Sequence, residues 1–224
     1  MRLARTSFLT LTAVAALAIP SLAAAQACIG TPIPDASFGI GGHFQTTEGA
    51  NGYGGSLTAN LAGPFTVQGR YTLLDMDDVE ENANSFGGTL AYELPNMSFS
   101  VCPFVGLDYT KWSANDPDFG IEVDVSETVI PIGLGLGYTF AASPTIGLTV
   151  YGMPQFMHIR GKFTASAGGE DESFEDDSNE FGADVGFRLG TGSLFGGAGV
   201  MFTSIEDSDP VFTVAIGVAV GGPR

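Results

Sequence analysis

Residues 129–140, VIPIGLGLGYTF, decide the fold, because large and small side chains alternate along them with a period of two. The large apolar side chains occupy one phase, namely Ile130, Ile132, Leu134, Leu136, Tyr138 and Phe140. Small or polar residues, mostly glycine, occupy the other phase. This alternation is typical of a β-strand whose two faces meet different surroundings. Residues 211–220 repeat the pattern.

The same alternation recurs along the chain and predicts ten strands. Most of the runs have the roughly nine to eleven residues that a tilted strand needs to cross a bilayer. The predicted strands are 38–46, 53–62, 64–74, 86–94, 98–110, 129–140, 145–157, 181–189, 194–204 and 211–220.

The connections between these strands alternate in length. Short turns are predicted at Gly63, 95–97, 141–144 and 190–193, and longer loops at 47–52, 75–85, 111–128, 158–180 and 205–210. The long loops contain 21 of the 25 acidic residues, and the short turns contain none. Short turns on one side and long polar loops on the other are typical of bacterial outer-membrane barrels. An even number of strands then places both chain ends on the short-turn, periplasmic side.

The charges within the predicted strands lie on one face. Each of the five charged residues in them lies opposite the large apolar side chains of its strand, namely Arg70, Glu93, Asp108, Asp184 and Arg188. A water-exposed surface normally has roughly a quarter to a third of its residues charged. The second face, mostly Gly, Ala, Ser and Thr, therefore suits a narrow lumen, and the apolar face suits lipid. A soluble lipocalin-like barrel or a β-sandwich is the alternative.

Residues 1–25 have the features of a secretory signal peptide. Arg2 and Arg5 precede an apolar stretch at 8–18, and the small residues 23–25 offer a cleavage site. The predicted mature protein has an N-terminal periplasmic segment at 26–36 and a barrel at 37–224. No later segment has the 18 or so consecutive apolar residues of a membrane helix.

The acidity of the chain excludes one class of partner. Without Arg2 and Arg5 the chain has 6 basic and 25 acidic residues, a net charge of −19. Proteins bind nucleic acid largely through Lys and Arg contacts to phosphates, so no nucleic-acid partner is expected. Glycine-rich stretches such as 133–137 lie within strands, whereas phosphate-binding glycine loops open helices, so no cofactor is expected either.

The chain resembles the small outer-membrane β-barrel family, which includes porin-like small barrels and relatives of the membrane domain of outer membrane protein A. The resemblance covers residues 36–220 and consists of Gly-rich alternating strands, tight turns and long polar loops. It implies an all-β, antiparallel up-and-down transmembrane barrel of ten strands, with eight, the common number in the family, as the alternative. The implied partners are outer-membrane lipid, periplasmic chaperones and the outer-membrane assembly machinery.

The predicted lumen contains a set of inward-facing polar and bulky residues. Buried charges need partners, so the acids and arginines among them can form a plug of ion pairs. A narrow, charged water path is the alternative, since a ten-stranded barrel is slightly wider than one of eight strands. The residues are Gln68, Arg70, Glu93, Phe104, Asp108, Tyr151, Asp184, Arg188, Phe195 and Met201.

Two further features suggest sites. Cys28 and Cys102 can form a disulfide in an exported protein, which would pin residues 26–36 across the barrel floor; two free thiols are the alternative. Two acidic loop clusters offer weak binding to divalent cations, but they lack the ligand spacing of a specific calcium loop. The clusters are Asp75, Asp77, Asp78, Glu80 and Glu81, and Glu170, Asp171, Glu172, Glu175, Asp176 and Asp177.

No catalytic motif accompanies this pattern. Neither His43 nor His158 has a nucleophile and an acid at a recognisable spacing. The sequence therefore predicts a non-enzymatic outer-membrane barrel with a structural or surface-interaction role and, at most, a narrow cation-preferring pore. The alternatives are a small porin, and a barrel protease or lipid hydrolase acting at the outer rim through His158.

Overall fold

The computed structural model describes residues 38–61, 64–77, 82–94, 99–116, 121–143, 146–167, 170–205 and 208–220. These residues form ten β-strands. The strands are β1 (Phe38–Thr47), β2 (Ala50–Asn60), β3 (Phe65–Met76), β4 (Ala83–Tyr92), β5 (Ser100–Asp116), β6 (Ile121–Ser143), β7 (Ile146–Ala167), β8 (Glu170–Thr191), β9 (Leu194–Thr203) and β10 (Val211–Val220). The described residues contain no helix long and apolar enough to cross a membrane.

The ten strands close into a single antiparallel barrel. Each strand pairs with its neighbours in sequence, and β1 pairs with β10 from Phe38↔Val220 to Thr46↔Phe212. The prediction of ten strands rather than eight is thereby confirmed. The strands are tilted, because the row of paired residues that contains Phe38, at the start of β1, reaches Phe156 in the interior of β7.

The two ends of the barrel differ. We call the end that carries the β2–β3, β4–β5, β6–β7 and β8–β9 connections the turn end, and the opposite end the loop end. At the β1–β2 hairpin of the loop end, Gly49 has a φ of +78°, and at the β8–β9 hairpin of the turn end Gly192 has a φ of +58°. Both lie in the left-handed region, which glycine adopts without steric cost.

The outer wall of the barrel is apolar over most of its height. Large side chains point outward along every strand, and Ile216 is 70% exposed. Aromatic pairs lie toward both ends of this apolar zone, a distribution typical of the two interfaces of a membrane. Toward the loop end they are Phe44–Tyr53 and Tyr71–Phe86, and at the turn end Phe65–Tyr92 and Tyr138–Phe140, with centroid separations of 4.7 to 5.3 Å.

Strands β5 to β8 are longer than the sequence predicted. Most of 111–128 and 158–180, predicted as loops, belongs to these strands, and the β7–β8 ladder continues to Ala167↔Glu170. We call the part of the four strands beyond their pairing with β4 and β9 the projection, comprising 112–116, 121–127, 160–167 and 170–180. At about 3.3 Å per residue, its longest strands extend roughly 30 Å past the rest of the barrel.

The alternation of side chains inverts where the barrel continues into the projection. In β6 the apolar phase that ends with Ile130 faces outward, whereas Val125, in the other phase, is buried on the inner side. In β7 the outward Phe156 is likewise followed by Phe163 in the inward phase, while Lys162 faces outward. The outer surface therefore changes from apolar to polar at this level, and the inner surface becomes apolar.

The predicted signal peptide at 1–25 and the predicted N-terminal segment at 26–36 lie outside the described residues. Both stay predictions.

A cation placed on the outer wall tests whether that wall faces lipid. We expect Ile216→Lys to lower the free energy of unfolding in phospholipid vesicles by about 2–4 kcal/mol, because a lysine near the middle of the bilayer loses its hydration. Urea titration of the vesicle-inserted protein measures this change. The control, Ser173→Lys on the outward face of the projection, should have little effect. Equal tolerance of both substitutions would contradict a lipid-facing wall.

Candidate functional site

The interior of the barrel is filled by side chains rather than open. Three methionines, Met153, Met157 and Met201, have at most 1% of their surface exposed. Unbranched methionine side chains fill irregular space well. The main cluster around them consists of Ala91, Cys102, Phe104, Val129, Met153, Met157, Ile159, Met201 and Val211.

A second apolar cluster closes the interior at the loop end. We call it the mouth cluster, and it consists of Ala50, Leu74, Met76, Ala83, Trp112 and Val125, with Val123 and Phe163 packed against it. Its members come from the loop ends of β2, β3 and β4 and from the projection. Trp112, the single tryptophan of the chain, is 5% exposed. The mouth cluster therefore covers the lumen from the side of the long loops.

A buried ion pair lies between these apolar regions. Arg70 on β3 and Asp108 on β5 form a salt bridge across β4, and each side chain is 2% exposed. Arg70 Nη1 also donates to Thr89 Oγ1 at 3.4 Å. Gly87, on the intervening strand, makes room for the pair, because a Cβ atom there would overlap the Asp108 carboxylate. The two buried charges thus compensate each other, as burial requires.

Hydroxyl groups and an imidazole ring line the next row toward the mouth. His43 Nε2 lies 2.9 Å from Thr72 Oγ1, and Thr110 Oγ1 donates to Ser85 Oγ at 3.0 Å. Gly54 separates His43 from Thr72 in this row, and a Cβ atom on it would meet the histidine ring. Because Gly54 has no side chain, His43 on β1 can reach the Thr72 hydroxyl on β3 across β2.

Glu127 on β6 continues this row, opposite Thr110. Its side chain is 2% exposed, and neither of its carboxylate oxygens has a hydrogen-bond partner. Sequence reasoning missed this residue, because it assigned 111–128 to a loop. The available signal was the odd-numbered phase that Glu127 shares with Val125 and Val129.

A second pair of opposite charges, Asp184 and Arg188, lies four residues apart on the inner face of β8, and each is 4% exposed. The guanidinium carbon of Arg188 is 5.4 Å from the centre of the Tyr151 ring, within the range of a cation–π contact. A Cβ atom at Gly186 or at Gly199 would overlap the tyrosine hydroxyl. Two glycines on neighbouring strands therefore seat this ring inside the barrel.

The structure places most of the predicted lumen residues in the interior. Tyr151 is half-buried. The buried ones are Gln68, Arg70, Phe104, Asp108, Asp184, Arg188, Phe195 and Met201. Glu93 differs from the prediction: it is exposed at the turn end and accepts a hydrogen bond from Ser100 Oγ at 2.9 Å. The reason is that the β3–β4 ladder ends at Tyr92, one residue earlier.

The predicted disulfide involves one residue inside and one residue outside the described part of the chain. Cys102 is fully buried in the main interior cluster. Cys28 lies outside the described residues, so the bond stays a prediction.

The described members of the first acidic cluster lie on the surface of the barrel. Asp75 and Asp77 are exposed near the end of β3, and Asp78, Glu80 and Glu81 lie outside the described residues. Among the described residues, no three His, Cys, Asp or Glu side chains are grouped as metal ligands would be.

The second cluster lies along β8, where alternation distributes its acids between two faces. Asp171, Glu175 and Asp177 share the outward face, Glu172 and Asp176 share the other, and Glu170 begins the strand. Arg160 Nη2 is 2.7 Å from Glu175 Oε2, and its guanidinium holds the pKa of that carboxyl below the usual value. Exposed pairs of this kind contribute little to stability.

The two histidines lie apart from each other. His158, on the outer face of β7, has its Nδ1 3.0 Å from Asn179 Oδ1. His43 contacts the Thr72 hydroxyl, but its buried Nδ1 has no hydrogen-bond partner, so no carboxylate orients the ring. A base activates a hydroxyl nucleophile efficiently when a third group orients it. The described contacts of these two rings do not form such a set.

Comparison with known proteins identifies the fold class. No family model and no curated protein sequence matches the chain. The translocator domain of the autotransporter NalP from Neisseria meningitidis superposes with a TM-score of 0.52 at 12% identity, over 93% of this chain and 96% of that one. The chain therefore has the fold of an outer-membrane β-barrel, and the expected resemblance is confirmed at the level of the fold.

Two further solved structures match with lower TM-scores. A KdgM porin has a TM-score of 0.42 and 10% identity, over 81% of this chain and 99% of that one. Ail of Yersinia pestis, in complex with the heparin analogue sucrose octasulfate, has a TM-score of 0.41 and 17% identity, over 83% and 96%.

The buried ion pair can be tested by breaking it. We expect Arg70→Met to lower the free energy of unfolding by about 3–5 kcal/mol, because it leaves the Asp108 charge buried without compensation. The double variant Arg70→Met/Asp108→Leu should recover much of this loss. Urea unfolding in vesicles measures both, and Arg160→Met, at an exposed pair, is the matched control. Additive losses in the double variant would show that the two side chains act independently.

For a substitution at Glu127 we expect the opposite change, a gain in the free energy of unfolding. Glu127→Gln should raise the free energy of unfolding by about 1 kcal/mol at alkaline pH, because it removes a buried charge that has no partner. The gain should shrink as the pH falls, since a protonated carboxyl is as neutral as the amide. Unfolding titrations at several pH values measure this, with the exposed Glu172→Gln as control. A loss of stability would indicate that the carboxylate is compensated.

Proposed function

We propose that this protein is an outer-membrane β-barrel with a closed lumen and a non-enzymatic role, and that its projection is the surface through which it acts. The observation that carries the proposal is the mouth cluster, which fills the loop end of the lumen with apolar side chains. The function then belongs to the surface of the molecule rather than to a path through it.

The outer wall supports a location in a membrane. Large apolar side chains are exposed around the whole barrel, over an area far greater than the few hundred square ångströms usual on a soluble protein. The apolar wall ends where the projection begins, because the apolar phase of the alternation turns inward there. At or beyond that level, the outward side chains include Lys111, Arg160 and Lys162. A bilayer matches a wall that is apolar to that level and charged above it.

The interior argues against a pore. A ten-stranded barrel is only slightly wider than the eight-stranded size whose interior side chains fill. An ion that entered from the loop end would have to displace Trp112 and then pass Met157, both buried in apolar clusters. The polar layer between them is occupied by the Arg70–Asp108 pair.

The projection supports a surface role. It consists of paired strands rather than irregular loops, so it presents side chains at defined positions. Its β8 strand carries a series of exposed acids and attracts cations and cationic partners electrostatically. Divalent cations that bridge these acids to anionic headgroups belong to the same proposal, as do insertion by the outer-membrane assembly machinery and delivery by periplasmic chaperones.

Conductance tests the closed lumen. In a planar bilayer with a salt gradient, we expect the refolded mature protein to insert without discrete current steps, because the mouth cluster and the buried methionines occupy the lumen between the described strands. Protection of the inserted protein from protease and a change in its electrophoretic migration on heating establish that insertion has occurred.

A current would identify the alternative functions. Discrete cation-selective steps from the unmodified protein would reject the closed lumen and favour a narrow pore or a small porin. The matched variant is Trp112→Ala/Met157→Ala, which removes side-chain volume from the mouth cluster and the interior. Current in this variant alone would show that these side chains close the barrel.

A further inference from the structure

Strand β8 has a long edge that no described strand covers. It pairs with β7 over its whole length, from Glu170 to Thr191, but with β9 only from Gly182 onward. We call residues 171–179 of this uncovered side the β8 edge. Within the closed barrel, the backbone groups on both edges of each strand are paired with a neighbouring strand. No described strand pairs with the β8 edge, because β8 extends beyond the closed part of the barrel.

The hydrogen bonds at Phe181 show which backbone groups face outward from this edge. Phe181 N–H donates to Ser204 Oγ at 2.8 Å, and Ser204 N–H donates to Phe181 O at 2.7 Å. Phe181 therefore directs both backbone groups toward the β9 side, and every second residue along β8 does the same. The residues of the β8 edge in this phase are Asp171, Ser173, Glu175, Asp177 and Asn179.

These residues form a template for an additional strand. Their N–H and C=O groups repeat over nine residues, roughly 30 Å at about 3.3 Å per residue. Unpaired edges of this kind recruit extended peptides through main-chain hydrogen bonds, and side chains then provide the specificity. The opposite edge of the projection is shorter, since β5 continues past its pairing with β4 only over 112–116.

The negative charge of β8 determines which kind of peptide strand can pair with the β8 edge. Acids alternate onto both faces, and residues 171–177 include no basic side chain. A second copy of this edge would place like charges opposite one another, which is destabilising. Arg160 contacts Glu175 and Asp177 from the β7 side, yet these carboxylates stay 50% and 60% exposed and can accept a second cation.

Phe174 adds an apolar requirement. It lies on the face of β8 opposite to Glu175, in line with Glu172 and Asp176, and its side chain is 55% exposed. In an added strand, side chains that point to this face contact Phe174, and those that point to the other face contact Asp171, Glu175 and Asp177.

We propose that the β8 edge binds an extended cationic segment of another protein by β-strand addition, with basic residues on its outward face and an apolar residue against Phe174. The proposal rests on the proposed function in one respect: the projection must stand clear of the membrane. It deepens that function by naming the class of partner.

The probe is a fluorescent peptide of alternating lysine and valine, about nine residues long to match the edge. Its twin has every backbone amide N-methylated, so it keeps the charge and loses all N–H donors. We expect the plain peptide to bind the detergent-refolded full barrel at least tenfold more tightly than the twin, by fluorescence anisotropy at moderate salt. Equal affinities, or no binding of either peptide, would overturn the proposal.

A substitution in the protein, rather than in the peptide, tests the same edge. Ser173→Pro removes an N–H that faces the β8 edge and takes part in no bond to β7, so it blocks strand addition without breaking the hairpin. We expect it to weaken binding of the plain peptide about tenfold, to the level of the twin, whereas Ser173→Val, which keeps the N–H, should not. Unchanged binding to a Ser173→Pro variant of unaltered circular dichroism would indicate charge attraction alone, and would reject strand addition.

The same preparation separates this inference from the function on which it rests. Loss of peptide discrimination in a protein that inserts and stays silent in the bilayer rejects strand addition and leaves the closed barrel intact. A protein that conducts or fails to insert rejects the proposed function, whatever the peptide result.

Discussion

Pairing of the backbone between β1 and β10 is the constraint on which the rest of the structure depends. This pairing turns ten strands into a closed ladder, in which each strand has a partner on both sides. In lipid no water can satisfy an unpaired N–H or C=O group, so closure is what allows strands to cross at all. Closure also sets the width of the interior, and through it the size and number of the side chains that can occupy the space.

The narrow interior explains the distribution of its polar groups. Glycines such as Gly54 and Gly87 leave room on intervening strands, so that His43 reaches Thr72 and Arg70 reaches Asp108. Each of these contacts skips one strand of the barrel. Apolar clusters on both sides keep the polar layer away from bulk water, so either charge of the Arg70–Asp108 pair would be buried without compensation if the other were absent.

The barrel ladder also continues past the apolar wall, because β5 to β8 keep their register. At that level the alternation inverts, so that apolar side chains such as Trp112 turn inward and charged side chains such as Lys162 turn outward. One set of strands thus forms an apolar outer wall, an apolar cluster at the mouth and a charged sheet beyond both. Closure applies only to the barrel proper, and this is why β8, alone among the described strands, has a long uncovered edge.

Period-two alternation and the sorting of acids into one set of connections determined the strand number, the two faces and the two ends, because both signals are local. The ends of β10, for instance, match the predicted 211–220. The extension of β5 to β8 and the burial of Glu127 were not evident locally, since acids interrupt the apolar pattern there. Only the tertiary structure decided which charges meet: Arg70 and Asp108 are 38 residues apart on strands that do not pair, and their contact depends on the register of every ladder between them.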